Sequence, residues 1–191
     1  MTTAHLGLVC LYFGDVRRAE GAGRWLARLL TLQPNPRAGL FLRLDRSGHL
    51  VRDVPEDKAA FFVVRAREPD QAYFMIGYPI GFLAKLYEAT ADDAYLRTAR
   101  GYLDFALACE GNLRSCHTSH KVAWGAAVAA RITGEPRYTE LAVTIADHLL
   151  DIQDPSGAWL ADQPAHTTFD QTAEITILLR EINIELSTSR A

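Results

Sequence analysis

Two kinds of helical pattern alternate along the chain. In segments such as 136–152, apolar residues recur about every 3.6 positions, which predicts helices with one buried face. Segments 73–87 (YFMIGYPIGFLAKLY) and 122–132 (VAWGAAVAARI) are instead apolar on nearly all sides and rich in glycine and alanine. Helices of that kind are buried on most sides and pack closely. The alternation therefore predicts an inner layer of buried helices and an outer layer of half-exposed helices.

An internal repeat groups these helices into pairs. Residues 86–108 align without a gap with residues 129–151, and residues 13–33 align with residues 133–153. The matched positions include Thr90 with Thr133, Asp92 with Glu135, Tyr95 with Tyr138, and Gly14 with Gly134. In each copy a first helix ends at a short turn and a second, amphipathic helix follows. Each copy therefore predicts an αα-hairpin.

The chain is predicted to be a single, mainly α-helical domain over residues 1–191. Hairpins are expected at about 4–33, 71–110 and 117–153. One further buried helix is expected at about 168–187, and the pattern Thr168-x-x-Gln171 is typical of a capping box at its start. The helical count is then about seven.

Over residues 39–66 the pattern of apolar and polar positions changes, and it predicts a small β insertion. The stretch GLFLRLDRSGHLVRDV alternates apolar and polar residues around Asp45-Arg46-Ser47-Gly48, which predicts a β-hairpin. The stretch AAFFVVRA (59–66) is apolar enough to add a third strand. We expect this sheet to decorate one end of the helical body.

The hairpin repeat resembles that of the (α/α) toroid superfamily. The stretch PDQAYFMIGYPIGFLAKLYEATADDAYL (69–96) is similar to a segment of N-acylglucosamine 2-epimerase-like enzymes, with Gln-Ala, an apolar helix, a Tyr-Glu-x-Thr-Gly-Asp-like turn and Tyr-Leu. The superfamily also includes unsaturated-glucuronyl hydrolases and the squalene-cyclase and prenyltransferase group. A closed toroid of six hairpins has twelve helices, so the resemblance implies a partial toroid, either an open arc, a truncated form or half of a ring completed by a partner.

Composition limits the classes of partner and the cellular compartment expected for the protein. A net charge of −3 gives no general attraction to nucleic acid, and no segment reaches the roughly 18 apolar residues of a membrane helix. The three cysteines are few and odd in number, which favours a reduced, cytoplasmic protein. Arginine outnumbers lysine, as is typical of GC-rich genomes, and we expect a bacterial source.

Polar residues that enter the cavity of a toroid gather at the starts of its inner helices, where free N–H groups and the positive end of the helix dipole lie. By this resemblance the candidate acid–base residues are His117, His120, Asp170 and Glu174. The candidate substrate-binding residues are Asp70, Gln71, Tyr73, Tyr78, Lys121, Trp124 and His166. His5, at the first inner start, is a weaker candidate because it lies near the chain terminus.

These residue types suit acid–base chemistry, although each has a plainer interpretation. Histidine exchanges protons near neutral pH, and Asp170 and Glu174 are one helical turn apart on one face. Equally, hydroxyl and acidic residues at a helix start often serve only as caps or dipole partners. Glu174 precedes the apolar run ITILL, so its charge needs a partner, which we expect to be Lys121 or His120.

The sequence predicts neither a metal site nor a cofactor. Cys116, His117 and His120 contain ligand types, but no second Cys-x-x-Cys or His-x-x-x-His pattern completes a tetrahedral set. There is no Walker loop, no Gly-x-Gly-x-x-Gly and no aspartate-rich magnesium motif. Asp92-Asp93 occupies the repeated turn and is interpreted as structural.

Three classes of function are consistent with these patterns. The first is a cofactor-independent enzyme on a small hydroxylated or carbohydrate-like molecule, with isomerase or epimerase preferred and hydrolase or lyase of a glycoside or uronide as an alternative. The second is a cyclase-type biosynthetic enzyme on a polycyclic or isoprenoid intermediate. The third is a non-catalytic helical-repeat scaffold. An incomplete ring also exposes apolar helices, so a homodimer that completes the ring is expected.

Overall fold

Within residues 2–188, which the computed structural model describes, the chain is mainly helical. The α-helices are α1 (Thr2–Tyr12), α2 (Val16–Thr31), α3 (Phe74–Thr90), α4 (Asp93–Ala108), α5 (His120–Thr133), α6 (Pro136–Asp151) and α7 (Ala165–Thr188). Three 3-10 helices lie at Glu56–Phe61, Leu113–Ser115 and His117–Ser119, and the strands are β1 (Gly39–Phe41) and β2 (Val63–Arg65). None of the described helices combines the length and the hydropathy that crossing a membrane requires.

The helices form two layers. α1, α3, α5 and α7 lie side by side in that order, because α3 contacts both α1 and α5, and α5 contacts α7. α2, α4 and α6 each pack against the helix that precedes them. Every residue of α5 from His120 to Ala130 is buried, whereas α6 buries only one face. The predicted division into buried and half-exposed helices therefore holds for α3 to α6. It is wrong for α1 and α7, which lie at the ends of the row and bury only three residues each.

The repeated turns have the local chemistry that begins a second helix. Asp15 and Asp92 accept hydrogen bonds from backbone N–H groups at the starts of α2 and α4. Gly134 ends α5 with a φ of +68°, a left-handed conformation that glycine adopts without steric cost. Pro136 then opens α6, at a position where no intrahelical N–H is needed.

The sheet confirms the predicted strand in the stretch 59–66 and shortens the predicted hairpin. β1 pairs antiparallel with β2, in the register Leu40 opposite Val64. The hairpin around residues 45–48 is present as one isolated antiparallel bridge between Leu44 and Leu50, with backbone bonds from Asp45 N–H to the His49 carbonyl and from Val51 N–H to the Arg43 carbonyl. The Asp45 carboxylate also accepts from the backbone N–H groups of Ser47 and His49 and so closes the turn.

The predicted capping box at Thr168 is wrong. α7 begins at Ala165, three residues earlier, so Thr168 lies inside the helix. Its hydroxyl donates to the backbone carbonyl groups of Leu160 and Gln163, which precede the helix. Hydrogen bonding to the loop therefore takes the place of N-terminal capping at this position.

Glycines on α3 bring it unusually close to α5. A Cβ atom at Gly77 would overlap the backbone of Lys121 and Val122, and one at Gly81 would overlap the Trp124 ring. On the facing side, a Cβ at Gly125 would lie 2.8 Å from the Ile80 Cβ. This close contact fixes the position of Lys121 along the axis of α3.

We expect the Gly77→Ala variant to be destabilised by about 1–3 kcal/mol, because the added methyl meets backbone atoms that cannot rotate away. The matched control is Gly21→Ala on the exposed side of α2, where only the tip of Arg24 lies within 4.0 Å. That control should gain up to about 1 kcal/mol from helix propensity. Urea unfolding followed by circular dichroism measures both, and equal stabilities would contradict the close contact.

Candidate active site

A cleft opens where the N-terminal parts of the inner helices meet, and its volume is about 370 Å³. All four inner helices contribute to it, together with the loop residue Leu160 and the 3-10 turn before α5. The lining residues are His5, Phe74, Tyr78, His117, Thr118, His120, Lys121, Leu160, Thr167, Asp170, Gln171 and Glu174. Titratable side chains from four separate helices therefore face one small space.

Glu174 is the centre of the polar cluster in this cleft. Its Oε2 atom pairs with Lys121 Nζ and lies 3.3 Å from His120 Nε2, while Oε1 accepts from the Tyr78 hydroxyl at 3.5 Å. Lys121 and His120 are themselves almost fully buried, at 4% and 1% exposure. The partner that the sequence analysis expects for Glu174 is thus confirmed as Lys121, with His120 beside it.

The orientation of the His120 ring follows from its other nitrogen. Nδ1 lies 2.5 Å from the carbonyl oxygen of His117, which can only accept, so Nδ1 carries a hydrogen. In the neutral ring, Nε2 therefore accepts from Lys121 Nζ, 2.9 Å away. Only a protonated ring could donate from the same atom to Glu174, and the Lys121 ammonium would then face an N–H group in place of a lone pair.

The surroundings assign protonation states to three side chains. Hydrogen bonds from His120 and Lys121 outweigh burial and lower the pKa of Glu174 to about 2. Burial and the Glu174 charge raise the pKa of Tyr78, so its hydroxyl stays protonated. Burial and the Lys121 charge lower the pKa of His5, which favours a neutral imidazole. The cleft thus combines a fixed carboxylate, a phenol donor and a neutral histidine at neutral pH.

Other side chains hold the two helix starts in register. The Thr118 hydroxyl donates to the backbone carbonyl of Gln71 at 3.0 Å and accepts from the backbone N–H of Tyr73 at 3.3 Å. Asn112 bonds both the backbone N–H and the carboxylate of Asp70. These bonds join the segment before α3 to the segment before α5, so they position His120 and Lys121 relative to Tyr78.

The structure brings part of the predicted set together. Six of the predicted residues line the cleft: His117, His120, Asp170, Glu174, Tyr78 and Lys121. Asp70, Gln71 and Tyr73 instead make hydrogen bonds to backbone or to Asn112 outside it. Trp124 lies one turn beyond Lys121, and His166 is exposed in the first turn of α7.

Some cleft residues carry only a weak signal in the sequence. The His5 ring lies against the Tyr78 ring, with centroids 3.7 Å apart, although its position near the terminus argued against a role. Phe74 belongs to an apolar run, where its aromatic ring indicates an apolar cavity; Lys121 Nζ lies 5.4 Å from its ring centroid in the polar cleft. Leu160 and Thr167 also line the cleft, and no sequence signal marks either of them.

No metal-binding cluster is found in the part of the chain that the structure describes, where no three His, Cys, Asp or Glu side chains converge as ligands would. Cys10, Cys109 and Cys116 are free thiols. Burial raises the pKa of Cys109 to about 12, which keeps it an unreactive thiol. The polar chemistry of the cleft therefore resides in histidine, lysine, tyrosine and carboxylate groups.

In comparisons with known proteins, no protein-family model, curated protein or solved structure matches the chain. A functional assignment therefore depends on the cleft itself.

Proposed function

We propose that the chain is a cofactor-independent enzyme that performs acid–base chemistry on a small hydroxylated or carbohydrate-like molecule, with isomerisation or epimerisation as the preferred reaction. The observation that carries this proposal is the convergence of His120, Lys121, Glu174 and Tyr78, from three helices, on one cleft. Buried charges of this kind are costly, and clusters of perturbed titratable groups are enriched at active sites.

Each member of the cluster has a proposed role. Because Glu174 has a pKa of about 2, it stays ionised and serves to hold Lys121 and to stabilise the protonated His120 ring. His120 would accept a proton from substrate on Nε2 when Lys121, which donates to that atom in the free protein, turns to the substrate oxygen. The Lys121 ammonium would stabilise negative charge that develops on a substrate oxygen, and Tyr78 would donate a hydrogen bond to that oxygen. The exposed Asp170 carboxylate at the cleft mouth suits substrate hydroxyl groups.

The partial (α/α) toroid remains the fold family that we propose, in a bacterial, cytoplasmic protein. Its support is the row of four inner helices, each preceded or opened by polar residues, together with the hairpin repeat. We also propose a homodimer. Its support is the exposed apolar residues on α1 and α7, the end helices of the row, such as Leu6 at 60% and Phe169 at 74% exposure.

A cyclase-type reaction on an apolar molecule is the second candidate, because a larger and mainly apolar groove adjoins the cleft. Hydrolysis or elimination of a glycoside or uronide would use the same acid–base groups. A scaffold without catalysis would leave the buried Lys121–Glu174 pair without a chemical use, although such a pair can be retained for structural specificity.

Solvent-deuterium exchange tests the preferred reaction. The protein is incubated in D2O with hexoses, N-acyl hexosamines and hydroxy ketones, and loss of C–H signals is followed by NMR. We expect exchange next to a carbonyl in at least one class, lost in His120→Gln and retained in His49→Gln, whose side chain is 80% exposed on a loop. Exchange in none of the classes, or equal exchange in both variants, would overturn the assignment.

A further inference from the structure

A groove of about 930 Å³ runs between α1 and α7 above the surfaces of α3 and α5. Its walls are mainly apolar, with Leu8, Val9 and Tyr12 from α1, Trp124 from α5, and Ile177 and Leu178 from α7. Its size lies in the range of pockets that enclose drug-sized ligands. The groove is open to solvent: Trp124 and Leu8 are buried, at 6% and 8% exposure, whereas Tyr12 and Ile177 are exposed, at 84% and 59%.

The groove adjoins the acid–base cleft. His5 and Tyr78, whose ring centroids are 3.7 Å apart, line both cavities and form the wall that the two spaces share. Along two of the inner helices, residues that line the polar cleft are followed by residues that line the apolar groove. On α5, His120 and Lys121 face the cleft and Trp124 faces the groove, and on α7 Glu174 faces the cleft while Ile177 and Leu178 face the groove. The two adjoining cavities thus place a polar space beside an apolar one.

The charged residues at the far end of the groove are already paired. Lys85 bonds Glu185 at 2.6 Å and lies 3.7 Å from Glu88, which also pairs with Arg131. Glu181 lies 3.1 Å from the Arg180 guanidinium. These groups satisfy one another, so the groove offers an apolar surface rather than a second polar recognition site.

We propose that the substrate is amphipathic, with a hydroxylated or carbonyl-bearing head in the cleft and an apolar body, an alkyl chain or fused rings, in the groove. This inference rests on the proposed function for the identity of the reacting end. It unites the carbohydrate-like and polycyclic classes in one molecule, because the two cavities share walls. The occupant of the groove is thus the apolar part of the substrate itself.

Alkyl glucosides of different chain length test this inference without requiring turnover. Binding of methyl, hexyl and octyl β-glucoside, each below its critical micelle concentration, is measured by calorimetry or NMR titration. We expect affinity to rise with chain length, at most roughly fourfold per buried methylene. In Ile177→Asp, octyl and methyl glucosides should bind within about threefold of each other, because a charge then lies in the groove wall.

Exposed positions make the variants well matched. Ile177 is 59% exposed, and the control Leu150→Asp changes a residue that is 55% exposed on α6, outside the groove. Val9→Asp alters the opposite wall and is a second test should Ile177→Asp fail to fold. Affinity that is independent of chain length, or a chain-length effect that survives both groove variants, would overturn the inference.

The outcomes separate this inference from the proposed function. A chain-length effect that depends on the groove, together with no deuterium exchange in any substrate class, would retain the apolar site and overturn the acid–base assignment. A wild-type dimer that Ile177→Asp converts to a monomer, without alkyl glucoside binding, would show by light scattering that a second copy of the chain fills the groove, and would overturn the inference.

Discussion

Replacing Glu174 with glutamine should lower the rate of the proposed exchange reaction by at least about 100-fold. The amide keeps the shape of the side chain and can still accept from Lys121, but it lacks the charge that stabilises both Lys121 and the protonated His120 ring. The measurement is the initial rate of deuterium exchange, accompanied by thermal unfolding to establish that the variant is folded.

Asp162→Asn is the control for this prediction, since Asp162 is exposed in the loop before α7 and outside the cleft. The Glu174→Asp variant, which keeps the charge on a shorter side chain, should recover part of the rate. A folded Glu174→Gln protein with the wild-type rate would remove the charge cluster from the mechanism, whereas recovery by aspartate alone would tie the rate to the carboxylate.

The second large effect concerns stability, at the opposite end of the inner helices. Glu185 of α7 is only 5% exposed and accepts from Lys85 of α3 and Arg131 of α5. Burial alone would raise the pKa of Glu185, but these two cations outweigh it and lower that pKa. We expect Glu185→Ala to reduce the free energy of unfolding by about 2–4 kcal/mol, because two partly buried cations lose their shared partner.

Urea unfolding measures this loss, and Glu140→Ala is its control. Glu140 is exposed on α6, and its replacement should change stability by no more than about 0.5 kcal/mol. Coincident unfolding curves for the two variants would mean that the attachment of α7 depends on its apolar contacts, such as Ile175 and Ile182, rather than on this charge cluster.

The prediction of elements succeeded where the signal is local. The period of apolar residues and the turn chemistry of Asp92 and Gly134 act within a few residues, so they predicted the helices and their pairing into hairpins. The capping-box pattern wrongly placed the start of α7 at Thr168. Such a pattern can also occur inside a helix, where a preceding loop supplies other acceptors for the hydroxyl group. The hairpin around Asp45 was also placed correctly, although it is shorter than the alternating pattern predicts, with a single bridge between Leu44 and Leu50.

The candidate site was predictable as a set of helix starts but not as a geometry. Polar residues at inner starts were visible in the sequence, and six of the predicted residues line the cleft. Tyr73 and Gln71 carry the same chemical signal, yet their side chains bond to backbone and loop groups before α3. A hydroxyl or amide near a helix start can serve either purpose, and only its neighbours distinguish the two.

The chain's local patterns therefore specify the helices, the full burial of α3 and α5 and the polar residues at the starts of the inner helices, because each of these follows from residues close in sequence. Tertiary structure alone decides that Lys121 meets Glu174 across 53 positions, that His120 directs Nε2 toward them, and that an apolar groove adjoins the cleft. Those contacts depend on the axial position and the rotation of each helix relative to its neighbour. Close packing at Gly77 and Gly81 sets both for α3 and α5, and no local pattern contains that information.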